Sequence, residues 1–246
     1  MHSRAMLYLI GAGVSIDLTS RGLEYCKEAD EIYLDRYTVL VEGAKEKLEK
    51  QIGKEVKEAG REFLESKEPL EIAKDKDIAI ISIGDPFFAT THISLYVQAK
   101  ERGVGVKVAH NSSIVNIVGR TGLSPYKLGG TVTIARWLEN YKPSSPIERI
   151  GNNIKAGLHT LVLADISNGE NMGIEEFVRT ARAMEEKEGS KVFKRVICVS
   201  RAGLDNEKIL YVEFDELPSL AIESPYSILV PAELSSYEKE NLEKLY

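Results

Sequence analysis

The chain has 246 residues, of which 43% are hydrophobic and 28% charged, and its formal net charge at pH 7 is −6. Such a composition supports one large or two small cores and excludes long-range disorder. The acidic balance argues against a general nucleic-acid-binding protein, which usually presents a basic face. No apolar run approaches the ~20 residues that cross a bilayer. The polar residues 1–5 also lack a signal-peptide core.

The two cysteines, Cys26 and Cys198, are far apart and fit no metal or redox spacing. We therefore expect two small buried thiols in a reducing compartment, which predicts a cytoplasmic protein.

The first half of the chain alternates strand-like and helix-like segments. Strands are expected at residues 6–10, 31–35, 77–83 and 105–109. A helix beginning near Thr19, with Leu23 and Cys26 inward, joins the first two strands. The Lys- and Glu-rich residues 42–76 read as solvated amphipathic helices. The alternation predicts a parallel sheet.

A Gly-Asp-Pro turn follows the apolar run that ends at residue 83. Gly84 permits unusual torsions or a close approach, Pro86 fixes the turn, and Thr90 or Thr91 can cap the next helix. Ile93, Tyr96 and Val97 of that helix are expected to point inward. Ligands of open α/β sheets bind at the carboxyl ends of strands, so Asp85 is a candidate ligand contact. The alternative is that Asp85 only forms a turn.

The composition changes to Asn, Ser, Gly and Pro over residues 110–126, which predicts a junction between domains 1–111 and 112–246 with a short helix at 114–118. In the second half, strands are expected at residues 131–135, 158–164, 195–200, 209–212 and 227–230. Helices are expected at residues 146–156, 174–187 and 235–245.

Two other small-residue turns follow strands. The turn Gly11-Ala-Gly13 lacks the third glycine of a dinucleotide-binding motif, since position 16 is Ile. It is either a tight turn or a place where a ligand approaches the backbone. The same two possibilities apply to the turn of residues 200–203.

His92, His110 and His159 are candidate general bases or metal ligands. They have no metal-ligand spacing, so no metal site is predicted. A structural hydrogen bond is the favoured role for each of them, and no catalytic base is assigned, although His92 and His159 stay as weak candidates.

Four stretches of the sequence resemble the diphthine synthases, which have the tetrapyrrole-methylase fold. They are the segments 9–13, 84–92, 110–129 and 157–166. The glycine turn and Gly-Asp-Pro occur across the wider fold family. By contrast, Ala-Thr-Thr-His and Gly-Leu-His-Thr-Leu resemble the diphthine synthases in particular.

The resemblance implies two α/β domains, with a mostly parallel sheet in the first, a mixed sheet in the second and a cofactor cleft between them. It also implies a homodimer and S-adenosyl-L-methionine as methyl donor, with S-adenosyl-L-homocysteine as product. The cofactor contacts implied by the resemblance are Val14, Asp85, Phe88, Ser113, Ile114, Ala164, Gly203, Leu204 and Ser227.

The sequence departs from this family at several positions. Tyr226 and Ser235 stand where the family usually has histidines, and Ala232 where it usually has glycine. Asp35 stands where a glutamate is common. No role of those histidines is transferred to this chain, and the contact of the first domain with substrate stays open.

The implied reaction is methylation of the amino group of a 3-amino-3-carboxypropyl-histidine on translation elongation factor 2, giving trimethylated diphthine in diphthamide biosynthesis. Neither direct nucleic-acid binding nor a membrane is implied. Lys127 and Arg201 are candidate partners for the acceptor carboxylate. The rivals are a methyltransferase of the same fold acting on a precorrin or ribosomal RNA, and a non-catalytic sensor of adenosyl-sulfur compounds.

Overall fold

The computed structural model describes residues 5–167 and 169–246. The expectation that the chain starts without a signal peptide falls mainly on residues 1–4 and lies outside the described residues. The described part of the chain divides into two compact units, one ending at Ser113 and the other beginning at Ile114. Among the described helices, none has the length and apolar character needed to span a membrane.

The first unit alternates strands with helices. Its strands are β1 (Met6–Gly11), β2 (Glu31–Asp35), β3 (Lys57–Ala59), β4 (Ile78–Ser82) and β5 (Gly105–Ala109). Its helices are α1 (Ser20–Glu28), α2 (Ala44–Ile52), α3 (Arg61–Leu64), α4 (Glu68–Ile72) and α5 (His92–Glu101).

The strands of the first unit form one parallel sheet in the order β3-β2-β4-β1-β5. The central strand β4 is buried along its whole length, as its unbroken apolar run predicts. Because all five strands run the same way, the segments that follow β1, β2, β4 and β5 leave the sheet at the same edge.

Two features of the first unit differ from the sequence prediction. Of the three residues of α5 expected to point inward, Tyr96 is half-buried against the core, but Ile93 and Val97 are 58% and 45% exposed. The buried residues of α5 are His92, Leu95 and Ala99. The prediction was wrong for Ile93 and Val97 because apolar residues occur around the whole circumference of this helix, so periodicity does not select a face. The edge strand β3 was not predicted, since its Lys-Glu-Ala sequence carries no strand signal.

The second unit begins with a 3₁₀ helix, Ile114–Thr121, and a shorter one, Pro125–Lys127. Its strands are β6 (Val132–Ile134), β7 (Thr160–Ala164), β8 (Ile166–Ser167), β9 (Glu170–Asn171), β10 (Arg195–Ser200), β11 (Lys208–Glu213) and β12 (Tyr226–Val230). Its helices are α6 (Ser145–Lys155), α7 (Ile174–Glu188), α8 (Ser236–Leu245) and the 3₁₀ helix Phe214–Ser219.

The main sheet of the second unit has the order β11-β10-β12-β7-β6, and β8 pairs with β9 separately. Its pairs are antiparallel except for β6 with β7. A stacked aromatic pair, Phe193 and Phe214 with ring centroids 4.4 Å apart, lies in its core beside Phe177. The predicted fold class, a parallel sheet followed by a mixed one, is confirmed.

Cys26 and Cys198 are buried free thiols, as predicted. Burial raises the pKa of each to about 12. Both thiols therefore stay protonated and unreactive in the folded protein.

Candidate functional site

The carboxyl edge of the first sheet brings two glycine turns together. Gly13 and Gly84 exchange backbone hydrogen bonds of 3.0 Å, so the segments after β1 and β4 pair with each other. A Cβ added to Gly11 would lie 2.6 Å from the Gly84 carbonyl oxygen and 2.9 Å from Asn111 Cβ. Gly84 has a φ of 94°, which a side chain would strain. The glycines are therefore needed for this close approach of backbones.

Asn111 connects a third segment to the same edge. Its side-chain amide donates to the carbonyl oxygens of Gly11, at 3.1 Å, and of Asp17, at 2.9 Å. The segment that follows β5 is thereby fixed against the first glycine turn.

Asp85 organises the Gly-Asp-Pro turn. Its Oδ1 accepts a 2.9 Å hydrogen bond from Phe87 N, and its Oδ2 accepts one of 3.3 Å from Asn111 N. The same Oδ2 lies 2.8 Å from Nδ1 of His110, a side chain that is 68% exposed. Asp85 thus holds its own turn and the segment after β5, and whether it also contacts a cofactor stays a prediction.

His92 is not at the surface of this edge. It is 1% exposed, with Nδ1 3.1 Å from Ser82 Oγ and Nε2 3.2 Å from Asp35 Oδ2, in a contact poorly aligned for a hydrogen bond. Asp35 also accepts from Thr38 Oγ1 at 2.7 Å and from Tyr37 N at 2.7 Å. Burial alone would raise the pKa of Asp35, but these contacts outweigh it and lower that pKa. His92 and Asp35 therefore tie β2 to the start of α5 inside the unit.

The other predicted contacts of the first unit lie in the same segments. Val14 and Phe88 are half-buried in the turns after β1 and β4, and Ser113, 5% exposed, ends the segment after β5. The turns also hold Ile16 and Ala89 at a positive φ of 57°, in the left-handed region that side chains disfavour. Strained backbone of this kind often accompanies ligand-binding segments.

In the second unit, one edge of the sheet carries four of the five remaining predicted contacts, and the fifth, Ile114, lies outside the sheet. Ser227, near the start of β12, pairs with Leu163 of β7 on one side and Val199 of β10 on the other. Because β12 runs antiparallel to both neighbours, its start lies beside their ends. Ala164 ends β7, and Gly203 and Leu204 follow β10. Ile114 opens the first 3₁₀ helix of this unit.

The turn after β10 is held by its own side chains. Arg201, at a φ of 53°, donates to Asn206 Oδ1 at 2.7 Å and to the Ser224 carbonyl at 3.1 Å. The Gly203 N–H donates to Glu207 Oε2 at 2.7 Å. Arg201, expected as a partner of an acceptor carboxylate, is therefore already committed to this turn.

His159, the second weak candidate base, is fully buried beside Glu238. Its Nδ1 accepts from Ala232 N at 3.0 Å, so Nε2 carries the proton that it donates to Glu238 Oε1 at 2.7 Å. Burial lowers the pKa of His159, although Glu238 opposes the shift.

Glu238 accepts further hydrogen bonds from Ser124 N at 2.9 Å, from Lys127 Nζ at 2.9 Å, and from Ser235 N and Oγ at 2.8 Å each. Burial alone would raise the pKa of Glu238, but these donors hold it well below the usual range. Lys127 also donates to the Glu233 carbonyl at 2.6 Å, so its ammonium serves this buried cluster.

Tyr226 and Ser235, which stand where the family usually has histidines, also have structural roles. Ser235 caps α8 with a reciprocal contact to Glu238. Tyr226 is buried, with its ring edge-on to Phe177 at 5.7 Å, and burial raises its pKa. Sequence reasoning missed the Glu238 cluster, for which the spacing Ser235-x-x-Glu238 was the available signal.

A sulfonium cofactor such as S-adenosylmethionine needs hydrogen-bond acceptors, apolar walls and few competing cations. The segments 11–17, 84–91 and 110–113 contain two aspartates and no Lys or Arg. One aspartate, Asp17, pairs with Lys47 of α2 at 3.1 Å. Val14 and Phe88 supply half-buried apolar surface. The residues of the first edge therefore fit such a cofactor.

Comparison with known proteins identifies the family over most of the chain. Residues 6–218 match the tetrapyrrole (corrin/porphyrin) methylases. The diphthine methyl ester synthase of Saccharomyces cerevisiae is 36% identical, over 92% of this chain and 83% of that protein. The diphthine synthase of Methanothermobacter thermautotrophicus is 36% identical, over 96% and 94%. A crystal structure of a diphthine synthase superposes with a TM-score of 0.87 and 29% identity, over 98% and 95%. The chain belongs to the tetrapyrrole methylase family, and its full-length relatives include the diphthine synthases.

Proposed function

We propose that the chain transfers methyl groups from S-adenosyl-L-methionine to the amino group of the 3-amino-3-carboxypropyl-histidine of translation elongation factor 2. The observation that carries the proposal is its similarity, along nearly the full length, to relatives named diphthine synthase or diphthine methyl ester synthase. The product is trimethylated diphthine, and the pathway is diphthamide biosynthesis. The substrate is part of the translation machinery, so the expected location is the cytoplasm.

The proposed cofactor contacts are the residues predicted from the family resemblance. Val14, Asp85, Phe88 and Ser113 contribute from the edge of the first sheet. The contacts from the second unit are Ile114, Ala164, Gly203, Leu204 and Ser227. When bound, the cofactor supplies an activated methyl group, so the protein mainly has to align the acceptor nitrogen with it. The half-buried side chains and tight turns of the first edge support this role.

The names of the relatives favour a second possible product of the reaction. The Saccharomyces cerevisiae protein is named for a methyl ester, and the Methanothermobacter thermautotrophicus protein for diphthine itself. This second product carries an additional methyl group, as an ester, on the acceptor carboxylate. Neither Lys127 nor Arg201 is free to neutralise that carboxylate, since both are engaged within the second unit.

The test is incubation of the protein with labelled cofactor and elongation factor 2 carrying the unmethylated side chain, followed by intact-mass measurement. Mass gains in steps of one methyl group are expected, with none on the factor that has an unmodified histidine. Mild alkali removes an ester but leaves N-methyl groups, and so separates the two outcomes. Methylation of a precorrin or ribosomal RNA, without transfer to elongation factor 2, would instead identify the protein as a methyltransferase of the same fold with that substrate. Cofactor binding without transfer to any acceptor would favour the sensor.

The homodimer implied by the family is part of the same proposal. Light scattering at assay concentration is expected to give twice the monomer mass of 27.4 kDa. A monomeric mass would refute the proposed dimer but would leave the proposed reaction untouched.

A further inference from the structure

Of the three candidate histidines, His92, His110 and His159, only His110 offers a ring nitrogen to an incoming substrate. His92 and His159 are 1% and 0% exposed, and both are held by buried carboxylates. The His110 side chain is 68% exposed at the carboxyl edge of the first sheet. It belongs to the segment after β5 that Asn111 fixes against the glycine turn.

Asp85 sets the tautomer of His110. A carboxylate can only accept, so the 2.8 Å contact with Asp85 Oδ2 requires a proton on Nδ1. The neutral ring then has a bare Nε2. Within the described residues, Nε2 of His110 takes part in no hydrogen bond. The charged group facing this ring is Asp85, and the uncharged Phe87 ring lies beside it, with centroids 5.9 Å apart.

Asp85 is in turn fixed by Phe87 N and Asn111 N. The hydrogen bonds therefore run in series: backbone N–H groups hold the Asp85 carboxylate, the carboxylate holds Nδ1 of the His110 ring, and Nε2 of that ring is exposed. In this arrangement a positioned carboxylate orients a histidine and fixes its tautomer, which suits a general base.

We propose that His110 is the general base of the methyl transfer, with Asp85 as its positioning residue, an inference that rests on the proposed function. Nε2 takes a proton from the acceptor ammonium, and the freed lone pair attacks the methyl carbon of the sulfonium. The new N–C bond forms as the C–S bond breaks, and its electron pair stays on sulfur, giving the thioether product. The proton passes from Nε2 to solvent before the next round.

Each round needs this step because every amine methylation produces a new ammonium, until the quaternary product has no N–H left. A free α-amino group has a pKa of ~8, so most of the acceptor is protonated at pH 7. A positioned base typically contributes about 10²–10⁴-fold to such a proton transfer.

The decisive variant is His110→Asn, because the asparagine amide can take the place of Nδ1 as a donor to Asp85 but has no basic nitrogen. We expect its single-turnover rate on modified elongation factor 2 to fall about 10²-fold or more at pH 7. The rate should recover as the pH rises through the ionisation of the amine. Calorimetry should give an unchanged affinity for S-adenosylhomocysteine. Tyr237→Phe, at a 71% exposed position of α8, is the matched control and should leave the rate unchanged.

Wild-type rates in His110→Asn at pH 7 would overturn the proposal, since they would mean that only the hydrogen bond to Asp85 matters. A second readout needs no substrate. Nitrogen-15 shifts of the neutral His110 ring should report a proton on Nδ1 and a bare Nε2, and the opposite tautomer would overturn the dyad. Failure of the wild-type protein itself to methylate the factor would instead refute the proposed function.

Discussion

Replacing Glu238 by Gln tests whether one buried carboxylate holds the second unit together. The carboxylate accepts five hydrogen bonds, from Ser124 N, Lys127 Nζ, His159 Nε2 and both N and Oγ of Ser235. Glutamine keeps one acceptor oxygen and turns the other position into a donor. If the amide nitrogen occupies the Oε2 position, it faces the ammonium and the Ser235 N–H.

The loss of stability in Glu238→Gln can be estimated from these hydrogen bonds. A hydrogen bond to a charged group contributes about 1.5–3 kcal/mol and a neutral one about 1 kcal/mol. Both the Lys127 contact and the Ser235 N–H contact are to a charged carboxylate, so losing them lowers the free energy of unfolding by at least about 3 kcal/mol. Urea denaturation at pH 7 measures this loss. Glu240→Gln, at an exposed i,i+4 pair with Lys244 on the same helix, is the control and should have little effect.

The pH dependence adds a second check. The folded-state pKa of both Glu238 and His159 is lowered, so the unfolded state binds more protons on acidification. The His159 contribution is present above its ordinary pKa of ~6.5 and is lost below it, and that of Glu238 is lost below ~4.3. The stability gap between wild type and Glu238→Gln should therefore narrow below about pH 4. A gap under 1 kcal/mol at pH 7, or one that does not narrow in acid, would refute the reasoning.

Three further predictions follow from the two sheet edges and the cores. Asp85→Ala should weaken S-adenosylhomocysteine binding about tenfold, or about 1.4 kcal/mol, in a protein that still unfolds cooperatively; equal affinity by calorimetry would contradict the cofactor contact. Gly11→Ala should destabilise by about 1–3 kcal/mol, because its Cβ would meet a carbonyl oxygen at 2.6 Å. Gly60→Ala meets nothing within 4 Å and is the control in thermal unfolding. Since burial raises the pKa of Cys26 and Cys198 to about 12, thiol reagents should label them only after unfolding, and rapid labelling of the folded protein would disprove their burial.

The strands were the most predictable part of the fold. The predicted segments 31–35, 105–109 and 195–200 match the bounds of β2, β5 and β10, because each short run of apolar residues is bounded by polar or glycine positions. The face of α5 was predicted wrongly because its apolar residues surround the helix. The β8–β9 pair was missed although the sequence has an Asn-Gly pair at 168–169, which favours a hairpin.

The contact of His110 with Asp85 could not be predicted from spacing, since 25 positions separate the two residues. It depends on the strand order, in which β1 lies between β4 and β5 and all three end at one edge. The family resemblance supplied the expected cofactor contacts, while only the structure distinguished the exposed histidine from the two buried ones.

The position of β1 in the sheet has a consequence for synthesis on the ribosome. Leu7 pairs with Ile78 on one side and with Val106 on the other, so both partners of the first strand are made long after it. Closing such long loops costs entropy that is recovered only when the pairing forms. Until residue 82 has emerged, the apolar residues 7–10 have no native strand to pair with, and their second neighbour β5 is complete only at residue 109. The nascent chain therefore presents an unpaired apolar strand that is prone to aggregation. The second unit needs no such delay for β10 and β11, which pair across a short turn.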